Sequence, residues 1–328
     1  MYDQKELKRI FRFGILGAAN IADKFCNAVM KIAGCEVVAV ASKSIERAKD
    51  FAIRNQVLHF YDSYEELLDT ERPDCAYIAV TVNDHYRLTI LCIERGIPVL
   101  CEKAMFQTAE EARMAFVRAK NSGVFVMEAM WSRFLPAVKK VRDWILNGRI
   151  GTAELVQFTI GFIAPSGDAN RYYNPHLGGG VAKDITVYAY ELTTFLLGQR
   201  IKDMTVAASW SESGVDITNH VTITFEYTMA SLMASFVCKM DEQMVIYGRE
   251  GKIVLPFPHF AEECFLYNRE GSLVEYFKDE ETQNGFIYEI EETIQCVCDG
   301  ILESSVIPHS DTIACAELFD RINETRVK

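Results

Sequence analysis

Long apolar runs are missing from these 328 residues: none approaches the roughly 18 residues that a membrane-crossing helix needs. The apolar stretch Phe11–Ala19 contains Arg12 and runs straight into a glycine loop, so it does not read as a signal peptide. Glycine (19) and proline (8) are too few for a low-complexity or collagen-like chain. The ten cysteines include no C-x-x-C pair, and their closest spacing is Cys296-Val297-Cys298. Most, such as Cys35, Cys75 and Cys101, adjoin apolar strands and read as small core hydrophobes, so no zinc site or other metal is expected. Such cysteines belong in a reducing compartment, and the expected location is cytoplasmic.

Positive charge is also scarce. Lys and Arg number 34 against 46 Asp and Glu, a net charge of −12. Proteins that grip nucleic acid usually carry a basic stripe, because phosphate neutralisation supplies much of their affinity. The nearest approach to one is Lys5, Arg9 and Arg12, with Asp3 and Glu6 interleaved. A polyanion partner is therefore excluded more firmly than a local basic pocket for one phosphate. What remains is an ordinary globular balance, 49% hydrophobic and 24% charged, at a length that predicts two domains.

The first 130 residues switch between short apolar runs and amphipathic stretches. Phe11–Leu16, Glu36–Ala41, Cys75–Val80, Pro98–Cys101 and Val124–Met127 read as buried strands; Ser44–Asn55, Tyr64–Thr70, His85–Arg95 and Thr108–Ser122 read as helices. Continuous apolar strands alternating with helices predict a doubly wound parallel sheet. After Trp131 the segments lengthen and alternate with period two, as in Val221–Tyr227. The turns Gly248–Gly251 and Asn268–Gly271 each join strand-like runs, which predicts a large, mostly antiparallel sheet built from hairpins. One helix, Leu135–Asn147, precedes this sheet, a second from Val181 to Leu197 interrupts it, and Glu289–Cys298 and Asp311–Ile322 close the chain as helices. The expected fold class is α/β followed by α+β, with domains 1–130 and 131–328.

The first strand enters Gly14-Ile15-Leu16-Gly17-Ala18-Ala19-Asn20-Ile21-Ala22. Against G-x-G-x-x-G/A, Gly17 takes the tight turn, Ala19 stands for the middle glycine and Ala22 packs the helix. Backbone N–H groups of such a loop meet a pyrophosphate at a helix N-terminus. Taken alone, the segment fits an unliganded strand–helix turn equally well. The second strand ends Ala41-Ser42-Lys43-Ser44 with Arg47 one turn on, a hydroxyl and two cations with no carboxylate at the tip. That combination suits a ribose 2′-phosphate, which favours NADP and leaves NAD possible.

Two further segments carry chemistry. Glu102-Lys103 emerges from the fifth strand at the carboxyl edge of the predicted parallel sheet, where such folds bind ligands. A lysine beside a nicotinamide can exchange the proton that accompanies hydride transfer, provided its ordinary pKa of about 10.4 falls. A surface ion pair is the plain alternative. Gly178-Gly179-Gly180 then opens a helix on which Asp184 and Tyr188 stand at i and i+4, facing one way. An acid and a phenol there suit a substrate hydroxyl, or else serve the helix dipole and the core.

In order and spacing these motifs resemble the glucose–fructose oxidoreductase/inositol dehydrogenase family (Gfo/Idh/MocA), in its dihydrodiol dehydrogenase-like branch. The resemblance spans nearly the whole chain: Gly17–Ala22, His85 seventeen residues before Glu102, Cys101-Glu102-Lys103-Ala104 for the family's E-K-P, Glu128-Ala129-Met130-Trp131-Ser132-Arg133-Phe134-Leu135-Pro136, and the glycine segment through Tyr188. It implies a Rossmann domain, then an open-sheet domain that mediates homodimers or tetramers. It implies Lys103 as the central catalytic residue, with Asp184 and Tyr188 as partners. Cofactor contacts fall to Gly17, Ala18, Ala19, Asn20, Ile21, Ser42, Lys43 and Arg47. Thr81, Asn83, His85, Glu102, Lys103, Trp131 and Arg133 take the nicotinamide half. Ala104, Lys183 and Thr186 depart from the family pattern.

The expected function is NADP-dependent hydride transfer to or from a secondary alcohol or aldehyde of a sugar, polyol or cyclic diol. The partners are a small-molecule substrate and further copies of the chain, with no nucleic acid and no membrane. Two alternatives stand beside this, the first of them motivated by Lys183 and Thr186. One is a non-catalytic NADP(H) sensor; the other is an enzyme that uses nicotinamide transiently for elimination or glycoside cleavage.

Overall fold

The computed structural model describes residues 10–165, 167 and 170–326; Lys5 and Arg9 lie outside them. The chain divides into two compact units, each described by itself. One comprises residues 1–106, 110–129 and 284–312, and the other 107–109, 130–283 and 313–328.

The first unit holds a six-stranded sheet in the order β3-β2-β1-β4-β5-β6, every pair parallel. Its strands are Phe11–Leu16 (β1), Cys35–Ala41 (β2), His59–Tyr61 (β3), Cys75–Ile78 (β4), Val99–Glu102 (β5) and Val126–Ala129 (β6). This is the strand order of dinucleotide-binding Rossmann sheets. The helices Asn20–Val29 (α1), Ile45–Asn55 (α2), Tyr64–Glu71 (α3), Val82–Ile93 (α4) and Ala109–Ser122 (α5) fill the crossovers. Ser44 and Ser63 cap α2 and α3, accepting from the backbone N–H groups three residues on.

β3 carries no signal in the sequence because three residues are too short for a period. Tertiary bonds hold it: the Glu71 carboxylate accepts from Tyr61 Oη at 2.6 Å and Arg12 Nη2 at 3.1 Å, and meets His59 Nδ1 at 2.5 Å. A single boundary at residue 130 also misses the return of the chain. Phe286–Cys298 (α8) packs on α1, where Asn284 Nδ2 donates to the Lys24 carbonyl at 2.8 Å. His309 Nε2 meets the Val126 carbonyl at 2.8 Å.

The second unit holds an eight-stranded sheet in the order β14-β13-β12-β11-β7-β10-β9-β8. Its strands are Ala153–Gly161 (β7), Ile201–Trp210 (β8), Asp216–Phe225 (β9), Met229–Ser235 (β10), Gln243–Gly248 (β11), Gly251–Pro256 (β12), Glu263–Asn268 (β13) and Leu273–Lys278 (β14). The turns at 249–250 and 269–272 make the expected hairpins, and all pairs are antiparallel except β7 with β10. Pro136–Leu146 (α6) and Val187–Leu197 (α7) pack on this sheet, and His309–Glu324 (α9) ends the chain. α7 is buried almost all round, as its run of apolar residues requires.

Within that core Arg133 and Glu191 form an ion pair with no exposed side-chain surface, and the guanidinium also lies 5.1 Å from the Phe195 ring centroid. Removing one member of a buried pair strands the other charge, at a cost of about 3–5 kcal/mol. Glu191→Ala is therefore expected to destabilise the second unit by that amount, and the Arg133→Met/Glu191→Met double variant by clearly less. Trp131, Trp144 and Trp210 all belong to this unit, so urea unfolding followed by tryptophan fluorescence reads it directly. A double variant as damaged as the single one contradicts the argument.

Candidate active site

The glycine loop is built around one close approach. Gly17 sits at φ +118°, and a Cβ there would collide with the Ala79 carbonyl and lie 2.8 Å from Val80 Cγ1. The loop is thus pressed onto the end of β4, and the chain turns at once into α1. Ala19, the N-cap, is extended and supplies no side-chain bond, leaving first-turn N–H groups of α1 for an anion. This arrangement fits a dinucleotide pyrophosphate, with Ala18, Asn20 and Ile21 beside it.

At the end of β2, Ser42 is buried and Ser44 is committed to capping α2. Arg47 is exposed, and its Nη2 approaches the Ala18 carbonyl at 3.5 Å, over the loop. Lys43 pairs with Asp84 at 2.5 Å, and Arg87 lies 3.7 Å from the same carboxylate. The strand tip has no carboxylate of its own, but α4 brings one to it. Asp84 escaped the sequence reading because the two segments are joined only by the fold.

The Lys103 loop is held from both sides. Both ring nitrogens of His85 meet main-chain carbonyls, Nδ1 that of Ala104 at 3.0 Å and Nε2 that of Val80 at 3.2 Å. Its burial outweighs these bonds and holds the imidazole pKa below its ordinary value. Buried Glu128 accepts from the Met105 N–H at 2.9 Å and from Thr312 Oγ1 at 2.8 Å. The Lys103–Ala104 peptide, at the position of the family's proline, is cis. Glu102 is buried and accepts from Tyr77 Oη. Burial pushes its carboxyl upward, while the Tyr77 hydroxyl and the Lys103 charge pull the other way. Thr81 stands at the N-cap position of α4 without a side-chain cap bond, and its hydroxyl donates to Asn83 Oδ1 at 2.7 Å.

In the second unit, the expected helix from Val181 begins as a π turn, Ala182–Thr186, before α7. Such wide turns are uncommon and concentrate at functional sites. Asp216 holds this one: its Oδ2 accepts from the Ala182 N–H at 2.9 Å and from Asn219 Nδ2 at 2.9 Å. Asn219 Oδ1 in turn accepts from Thr186 Oγ1 at 3.0 Å. Burial raises the Asp216 pKa, opposed by the bonds from Asn219 and Ala182 and by the Lys183 charge. Two of the three departures from the family pattern, Lys183 and Thr186, therefore have structural partners. The glycines admit the chain itself: Cβ atoms would meet the Arg171 and Tyr172 carbonyls at Gly179 and the Asp216 carboxylate at Gly180.

Asp184 accepts from Arg171 Nη1 at 3.0 Å. Burial works against the Arg171 cation, but Asp184 and Tyr172 more than offset it, and its pKa stands above the ordinary value. Tyr188 is buried at the start of α7, its ring centroid 5.1 Å from that of His259. Ser132, between Trp131 and Arg133, donates to the His259 carbonyl at 2.8 Å. Arg171 stands in the segment that drew attention to Asp184, but thirteen residues and an irregular chain separate them. Among the described residues no group of three or more His, Cys, Asp or Glu is placed to hold a metal ion, and no helix is long and apolar enough to cross a membrane.

Comparison with known proteins agrees with this architecture. Residues 11–130 match the oxidoreductase family with an NAD-binding Rossmann fold (GFO/IDH/MocA), and residues 138–254 match the GFO/IDH/MocA C-terminal domain. A trans-1,2-dihydrobenzene-1,2-diol dehydrogenase of Mus musculus is 30% identical, over 94% of this chain and 95% of that protein. Among solved structures, a 3-ketoreductase from Actinomadura kijaniata in complex with NADP and TDP-benzene superposes with a TM-score of 0.86 at 21% identity, over 96% of this chain and 97% of that one. A levoglucosan dehydrogenase in complex with NADH and levoglucosan does so with a TM-score of 0.86 at 18% identity, over 96% of each chain. Fold, motif order and relatives converge, and the chain belongs to the GFO/IDH/MocA family of oxidoreductases.

Proposed function

We propose that the chain is an NADP-dependent dehydrogenase acting on a secondary alcohol or aldehyde of a sugar, polyol or cyclic diol. The observation that carries this reading is Lys103, at the carboxyl end of β5 beside the buried Glu102–Tyr77 pair, on a loop clamped by His85 and Glu128. A bound nicotinamide supplies the hydride acceptor or donor. In the oxidative direction Lys103 Nζ takes the hydroxyl proton while the neighbouring C–H leaves as hydride; reduction reverses both. Asp184, itself steadied by Arg171, orients the substrate hydroxyl, and Tyr188 helps to handle its proton. Thr81, Asn83 and Trp131 flank the nicotinamide, with His85 and Arg133 acting through the elements they hold. The relatives named for diol and sugar substrates support this substrate class.

For the adenosine half, Ser42, Lys43 and Arg47 are assigned to a 2′-phosphate, with Asp84 competing for Lys43. The same copies of the chain are assigned to a homo-oligomer, a dimer or tetramer, through the second unit's sheet. On that sheet Leu155 and Met229 pair across β7 and β10 and remain exposed. The ten free cysteines suit a reducing compartment, and the protein is assigned to the cytoplasm on that ground.

Lys103→Met is expected to lower turnover by about 10²–10⁴-fold, the usual share of a general acid–base group. NADPH binding should stay within about threefold; loss of both together gives Lys103 a structural role instead. Fluorescence titration should show NADPH binding more tightly than NADH. Arg47→Ala should weaken NADPH alone by about tenfold, the worth of one charge-assisted bond. Asp84→Asn, which releases Lys43, should raise the NADPH preference. Equal or better binding of NADH to the unaltered protein refutes the NADP assignment. Sedimentation velocity should report more than one subunit per particle, and a monomer at micromolar concentration rejects the oligomer.

A further inference from the structure

The π turn Ala182–Thr186 packs on β7, β9 and β10, and its bonds reach outside its own helix. The Val187 N–H donates to the Ala182 carbonyl five residues back, where an α turn would reach four. Such a turn is rare because the α-helix bonds the same backbone in a tighter spiral, so it persists where tertiary bonds favour it.

Three buried side chains supply those bonds. On β9, Asp216 Oδ2 accepts from the Ala182 N–H and from Asn219 Nδ2, each at 2.9 Å. Asn219 turns its Oδ1 to the Thr186 hydroxyl at 3.0 Å, and that hydroxyl also lies 3.3 Å from the Val181 carbonyl. Both ends of the turn are thus tied to one strand, its first residue through Asp216 and its last through Asn219. Gly180, at φ +117°, leaves room for the carboxylate, since a Cβ there would lie 2.3 Å from Asp216 Oδ1. Asp184 is the middle residue of the segment held in this way. Closing the turn to an α-helix would take the extra residue into the spiral and rotate Asp184 against Tyr188 by up to about 100°, the step of one residue.

We infer that Asp216 is a positioning residue for the proposed dehydrogenase: with Asn219 and Thr186 it holds the π turn, and the turn aims Asp184 at the substrate hydroxyl. This rests on the assignment of Asp184 to that hydroxyl. Asp216 acts through the backbone it bonds and not on the reacting atoms. Thr186, a departure from the family pattern, is the far end of the same hold.

The test measures oxidation of trans-1,2-cyclohexanediol with NADP. Asp216→Ala removes the acceptor and should lower kcat/KM about a hundredfold, mainly through kcat, the loss that a small misplacement far from the chemistry brings. NADPH affinity should stay within about threefold, because the nucleotide loop shares no partner with Asp216. Asp216→Asn, whose amide oxygen still accepts from both N–H groups, should retain most of the turnover. In an Asp184→Ala background, Asp216→Ala should cost less than about threefold more, because the group it positions is gone. Losses that add in full across the two sites overturn the inference, as does undiminished turnover in Asp216→Ala.

A readout free of turnover accompanies it. An amide in the first turn of a helix has no intrahelical acceptor, so hydrogen exchange at Ala182 reports its bond to Asp216. Exchange over residues 181–187 should quicken about tenfold in Asp216→Ala, and less in Thr186→Val, while residues 190–197 keep their rate. Thr186→Val removes a single hydroxyl and serves the same comparisons where Asp216→Ala fails to fold. Faster exchange without turnover in the unaltered protein upholds the hold on the turn and sinks the hydride-transfer assignment. Unchanged exchange overturns the inference whatever the turnover.

Discussion

A methyl group on residue 17 would collide with the Ala79 carbonyl, and the nucleotide half of the protein is arranged around the absence of that methyl. Because Gly17 lies flush against the end of β4, the chain leaves β1 and enters α1 without a detour. The uncapped first turn of α1 then opens at the carboxyl edge of the sheet. The neighbouring strand ends bring their own residues to that edge: Ser42 from β2, Thr81 beyond β4 and Glu102 with Lys103 from β5. A parallel sheet delivers all its strand ends to one side, so a single tight turn sets where each of these side chains emerges.

Buried polar groups then fix what the strands deliver. His85 and Glu128 spend their hydrogen bonds on backbone atoms flanking Lys103, and Asp216 spends its own on the π turn that carries Asp184. Such bonds are costly to leave unmade in a low-dielectric interior, which makes them effective constraints on irregular backbone. Glu289 on α8 is one exception among the described residues. It is fully buried and neither carboxyl oxygen has a hydrogen-bond partner. Burial, reinforced by the Glu102 charge, pushes its pKa well up.

Much of the architecture was legible from local pattern. Five of the six strands of the first sheet, the helices between them and both hairpin turns of the second follow from periodicity and turn residues, which act over a few positions. The candidate site was half legible. Lys103, Asp184 and Tyr188 stand out by type and context, whereas Arg171, Asp216 and Asn219 do not. No spacing rule links Asp84 to Lys43, 41 residues earlier, or His259 to Tyr188. The π turn is equally silent, because its apolar positions also satisfy an ordinary helix.

By itself the sequence determined two domains, a parallel sheet followed by a hairpin-built one, a nucleotide loop and an acidic surface without a polyanion face. These are properties of composition and of neighbours along the chain. Only the tertiary structure decided that residues 284–312 return to the first unit, that β7 pairs in parallel with β10, and that an aspartate reaches the cations at the tip of β2. It also decided that Thr186 is tied to Asn219, where the sequence left its hydroxyl unassigned. Each of these is a contact between segments far apart in the chain. Its energy depends on burial and distance in space, which periodicity does not encode.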